Sequence, residues 1–309
     1  MNPNYPGKSR DMTVPYMIVL ASGLATTALT LLLVYWLDDN AHFNLMGFYL
    51  DYILPAGAIL VGILAGSGYG LASWLTGVKI PRTMIWTVLA LQCIAYFSAQ
   101  YIVFAHLHLV NPYTNQPVGF LQYFDWAARN FSFKKHNGEP GEPFGTWGYA
   151  YRFLELAGFA FAGVLIPALV MVIPYCDPCG RYMRRTALAT LPGSIRAKQP
   201  NRKDAQAVAA YEEEKEQADA SAKQAIAVLG EMAASGQTGA LSQALAALGP
   251  GSKAAAKLPS RYVMSLYLCP ACPAGRLKVV PMTGQGKKVR QGTAIIFEIP
   301  GERTDVPAP

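Results

Sequence analysis

The chain has 309 residues, 52% hydrophobic and 15% charged, with a positive mean hydropathy and a formal net charge of +7. That balance excludes a pair of ordinary soluble domains and directs the reading to a lipid bilayer. Almost all long apolar runs precede Cys176, while Lys, Arg, Ala, Pro and Gly mark the remainder. Anionic lipid headgroups therefore account for the basic balance, and no specific nucleic-acid partner is required.

Residues 13–37, 46–75, 83–110 and 153–175 are apolar runs long enough to cross a hydrocarbon core of roughly 30 Å as helices. The first is too long for a signal-peptide core, and it ends on Tyr35 and Trp36, a pair suited to a membrane interface. It reads as a retained span. Lys8 and Arg10 before the first span, Lys79 and Arg82 between the second and third, and Arg181, Arg184 and Arg185 after the fourth place both termini in the cytoplasm. The expected location is the cell membrane, or the inner membrane of a bacterium.

Gly62, Gly66 and Gly70 recur every four residues in the second span and predict a face that admits a neighbouring backbone, with Gly158 and Ala162 of the fourth span as its counterpart. Pro55 and Pro167 are expected to kink the second and fourth spans. In the loop from Asn111 to Arg152, Phe120, Leu121, Phe124, Trp126 and Phe131 predict an interfacial helix.

Beyond the fourth span, a Pro/Gly/basic linker from residue 186 to 203 leads to an Ala- and Glu-rich helix over 204–234 and a short helix over 241–248 that stops at Gly249 and Pro250. The long helix carries a thin apolar stripe of Ala209, Ile226, Val228, Leu229 and Met232, which calls for a partner. Short β-rich segments then follow over 262–268, 277–282 and 293–299.

Four of the five cysteines form two pairs, Cys176-Asp-Pro-Cys179 and Cys269-Pro-Ala-Cys272. Each Cys-x-x-Cys turn converges two thiolates on one ion, and two turns supply the tetrahedral sulfur shell that structural zinc prefers. With the flanking strand segments, these pairs resemble a zinc ribbon. The resemblance covers residues 175–182 and 261–299 and implies that the helices between the pairs are an insertion, because the usual separation is about 15 to 20 residues. Gly180 after Cys179 and Pro270 after Cys269 also resemble rubredoxin knuckles, which would imply iron; Pro273 departs from the glycine expected there. Cys93 in the third span reads as a small buried apolar residue.

His42, Asp51, His106, His108 and Glu155 all map to the outer ends of spans and form a candidate metal or proton cluster by topology alone. No Walker loop, HExxH, Gly-x-Ser-x-Gly or dinucleotide fingerprint is present, so catalysis has no positive support in the sequence.

The sequence thus predicts an α-helical membrane protein. Residues 1–175 form four transmembrane helices, and a cytoplasmic α+β tail contains a split zinc-ribbon-like module at 176–185 and 259–300. Residues 186–258 are the inserted linker and helices, projecting as an arm, and 301–309 are a flexible tail. The expected function is an accessory or scaffold protein, a subunit of a membrane complex that binds protein partners or a second copy. An oligomeric transporter or channel component and a membrane redox protein with iron are the alternatives.

Overall fold

The computed structural model describes residues 13–41, 45–51, 53–111, 115–133, 141–194, 200–201, 204–249, 258–284 and 288–301. His42, the basic residues Lys8 and Arg10, parts of the 186–258 stretch and residues 302–309 lie outside them. The chain divides into two units, Met1–Val172 and Ile173–Pro309.

The first unit is helical: α1 (Thr13–Ala41), α2 (Ala56–Thr76), α3 (Arg82–Leu107), α4 (Phe120–Arg129), α5 (Gly148–Gly163) and α6 (Leu165–Met171). Four of its helical stretches are long and apolar enough to cross a membrane: α1, α2, α3, and α5 with α6. The shortest, 21 residues, is about 31 Å long at 1.5 Å per residue. Their apolar side chains point outward as well as inward: Leu29, Leu32, Leu75, Trp86 and Ile94 are all exposed, an arrangement that water would penalise.

Polar and small residues stitch this bundle together. The Thr26 and Thr27 hydroxyls of α1 donate to the Ala65 carbonyl of α2 at 2.9 and 3.1 Å. Gly62, Gly66 and Gly70 face the Phe159 and Gly163 carbonyls and the Ile166–Pro167 backbone, where any side chain would collide. Pro167 has no N–H to offer the Gly163 carbonyl, and the fourth span breaks there, with Val164 between α5 and α6. Pro55 imposes no kink. It precedes α2, its carbonyl accepting from Ile59 N at 3.0 Å, because residues 45–55 turn back through a Leu50–Leu54 bridge instead of continuing the helix.

The predicted interfacial helix is α4, with Tyr123 and Ala128 buried and Leu121 and Trp126 exposed. Phe131, Phe133, Phe144 and Tyr151 pack with Tyr49 into an aromatic cluster at the same end of the bundle.

In the second unit, β1 (Tyr175–Cys176) and β2 (Arg181–Tyr182) form a hairpin. An antiparallel sheet follows, made of β3 (Arg184–Pro192), β4 (Ser260–Leu268), β5 (Gly275–Thr283), β6 (Arg290–Gln291) and β7 (Ile295–Ile299). Its order is β3-β4-β5, with β6 and β7 both paired to the far side of β5. Two helices, α7 (Ala205–Ala234) and α8 (Thr238–Leu248), pack on one face.

Two sequence expectations are corrected in this unit. Residues 186–192 are strand, not linker: Ala187, Ala189 and Leu191 alternate inward and pair with Leu266, Met264 and Tyr262. Alanine is a weak strand former, so the pairing decides the conformation. The inserted helices do not project as an arm, because Ala222, Ile226, Leu229 and Ala233, one face of α7, bury against the sheet with Leu241 and Leu245 of α8. Val228, expected in the apolar stripe, is 52% exposed. Asp204 caps α7 by accepting from Ala207 N at 3.0 Å, and Asp219 holds the helix to β4 by accepting from the Tyr262 hydroxyl at 2.8 Å.

Candidate metal centre

Strand pairing brings the two cysteine pairs together. Arg184, first in β3, pairs with Leu268, last in β4, so the β1–β2 hairpin just before β3 lies beside the turn just after β4. The first turn closes through Gly180 N donating to the Cys176 carbonyl at 2.9 Å, with Gly180 at φ +63, a conformation that favours glycine. In the second turn, Cys269 N donates to the Ala274 carbonyl at 2.9 Å and Ala271 N reaches Cys269 Sγ at 3.4 Å.

The Sγ atoms of Cys176, Cys179, Cys269 and Cys272 all lie within 4.8 Å of one another, and Cys176 and Cys272 are 3.7 Å apart. All four are free thiols. A tetrahedron with metal–sulfur bonds of about 2.3 Å has edges of ~3.8 Å, so the donor set fits a single ion with small adjustments. Cys176 and Cys269 are buried, and Met183, Tyr267 and Ala274 pack around the sulfurs. Burial pushes the Cys176 thiol up, and pushes Cys179 up to about 11. Burial opposes ionisation of Cys269 too, yet the Ala271 amide and the neighbouring thiols bring it below its ordinary value. Four thiolates this close repel one another strongly, and a bound cation is what makes their joint deprotonation favourable. Four protein sulfurs also fill a tetrahedral shell, which leaves no open position for a reactant.

Among the described residues, the outer polar side chains do not converge on one site. His106 Nδ1 and the Tyr35 hydroxyl share a hydrogen bond at 3.1 Å, and His106 Nε2 meets Asp39 at 3.2 Å, in an exposed setting. His108, past the end of α3 at φ 44, donates from Nδ1 to the His106 carbonyl, and Asp51 is exposed in a turn. Glu155 is instead fully buried, accepting from Arg152 at 2.8 Å and from the Tyr96 hydroxyl at 3.0 Å. Among the described residues, the four cysteines form the one group of His, Cys, Asp or Glu side chains with metal-binding spacing. Sequence reading missed Arg152 and Tyr96; an Arg three residues before an acid at the mouth of a span was the available signal.

Arg152 also lines a cavity of about 70 Å³ at this end of the bundle, where Tyr35, Asp38, Gln100 and Tyr123 supply the other polar groups. Arg152 Nε and Glu155 Oε1 are buried without a hydrogen-bond partner. Burial raises the Tyr123 phenol above its ordinary value, which keeps it a neutral donor.

No protein-family model, curated protein or solved structure matches the chain.

Proposed function

We propose that this is a multi-pass membrane protein whose cytoplasmic tail is held in shape by one structural zinc ion, and that it serves as an accessory subunit binding protein partners within a membrane complex. The convergence of four cysteine sulfurs within 4.8 Å of one another is the observation that carries the reading, since a filled four-sulfur shell leaves no open position for a substrate. Zinc is favoured over iron because Pro273, directly after the last cysteine, departs from the glycine of rubredoxin knuckles. The cytoplasmic assignment rests on Lys79, Arg82, Arg181, Arg184 and Arg185 flanking the spans.

Elemental analysis and a visible spectrum of the purified protein, beside a variant with Cys269 and Cys272 changed to Ser, test the metal. One colourless zinc per chain, lost in the variant, is expected; iron with charge-transfer absorption would move the protein to the electron-transfer class. Extraction of the native membrane in mild detergent tests the accessory role. Migration as part of a larger complex is expected, and a single partner-free species would overturn it.

A further inference from the structure

We propose that the face of the tail's sheet not covered by α7 and α8 is a docking surface for anionic lipid headgroups, with the acids of α7 left toward water. The inference rests on the membrane reading of the helical unit and needs neither the metal nor a protein partner.

Charge is segregated within the tail unit. Strands β3 to β7 carry Arg184, Arg185, Arg261, Arg276, Lys278 and Arg290, with Glu298 as their one acid. Helix α7 carries Glu212, Glu213, Glu214, Glu216 and Glu231 against Lys215, its other lysine, Lys223, being paired with Asp219. Ala187, Ala189 and Leu191 face the helices, so Leu188 faces away, because successive strand residues alternate. Strand pairing carries that open face across the sheet as one row of Leu188, Ser265, Lys278 and Ile296, and a second of Arg185, Tyr267, Arg276 and Glu298. Arg185, Leu188, Lys278 and Ile296 are exposed. Arg276 is paired with Glu298 at 2.9 Å, whereas Arg185 and Lys278 have no carboxylate partner among the described residues.

Unpaired cations beside exposed aliphatic side chains match a headgroup layer, where phosphate meets the cation and the acyl boundary receives the aliphatic group; an anion in bulk water would leave Leu188 and Ile296 uncovered. The same surface repels the acids of α7 and so orients the unit. Only residues 172–174 separate α6 from β1, at most about 14 Å of extended chain, which tethers the unit within reach of a bilayer crossed by α5 with α6.

Full-length protein carrying a genetically encoded fluorescent amino acid, at Leu188 or separately at the exposed Val228 of α7, is placed singly in nanodiscs doped with a headgroup-nitroxide lipid. Discs of phosphatidylcholine with and without phosphatidylglycerol are compared. With phosphatidylglycerol, quenching at position 188 should exceed that at 228 by at least about twofold, and the excess should shrink in pure phosphatidylcholine and in high salt. Arg185→Glu with Lys278→Glu should remove the excess while leaving the thermal midpoint of the tail in place; the comparison of lipids needs no charge variant. Equal quenching at the two positions, or an excess that is the same in both lipids, would overturn the docking surface and leave the face to a protein partner or a second copy. Failure of the chain to enter discs would overturn the membrane reading, and this inference with it.

Discussion

Cys176 Sγ stands 3.7 Å from Cys272 Sγ, although the whole of β3, α7, α8 and β4 lies between them in the chain. A metal at these sulfurs closes the tail unit as a clasp closes a loop. Stripping it with a strong chelator, or changing Cys269 and Cys272 to Ser, should lower the thermal midpoint of the tail by at least roughly 10 °C and expose it to protease. Helicity of the apolar bundle should persist. Circular dichroism with limited proteolysis reads both effects, and a tail that melts unchanged would show that the apolar core between sheet and helices suffices without metal.

Asp219 predicts a pH dependence of the same unit. Burial opposes its ionisation, but the Lys223 ammonium at 2.7 Å and the Tyr262 hydroxyl at 2.8 Å outweigh that and hold the carboxyl below its usual value. A folded pKa below the unfolded one gives stability that is complete above about pH 4 and lost as pH falls through the folded value. Asp219→Asn should therefore cost about 1 kcal/mol near neutrality and nothing in strong acid. Denaturant melts at two pH values check this.

Gly66 lies under the Gly163 carbonyl and Gly158 beside the Pro55 ring, so alanine at the two positions should behave differently. Gly66→Ala must push backbone from backbone and should cost about 1–3 kcal/mol. Gly158→Ala meets side chains and no backbone, Pro55 at 3.0 Å and Ile59 at 3.3 Å, and should cost less. Thermal unfolding in detergent ranks them, and equal midpoints would contradict the close packing of α2 on α5.

The buried pair of Arg152 and Glu155 should show strong coupling. Arg152→Met leaves a buried carboxylate unpaired and should cost about 3–5 kcal/mol, while the double change Arg152→Met with Glu155→Gln should recover much of that. A double-mutant cycle measures the interaction, and additive losses would show that the two side chains act separately.

Much of the architecture was legible because the signals are strong and local. Runs of apolar residues as long as a bilayer is thick read as helices whatever packs on them, and α7 announces itself through alanine and glutamate. The cysteine pairs were readable from spacing alone. Strand β3 was not, because Ala187 and Ala189 carry little strand preference and take their conformation from β4. Pro55 misled because an apolar turn and an apolar helix look alike in composition; only the Leu50–Leu54 bridge distinguishes them.

The sequence by itself determined the number of long apolar helices, the presence of a helix-and-sheet tail and the identity of the cysteines able to share one metal ion. Those properties follow from hydrophobic length, residue preference and ligand chemistry, each of which acts within a few neighbouring residues. Tertiary structure alone decided that α7 and α8 cover the sheet, that Glu155 pairs with Arg152 and Tyr96 instead of joining the outer histidines, and that a cavity opens beside that pair. Those outcomes depend on which buried polar group finds a partner and which apolar face finds a cover, and both are settled between segments far apart in the chain.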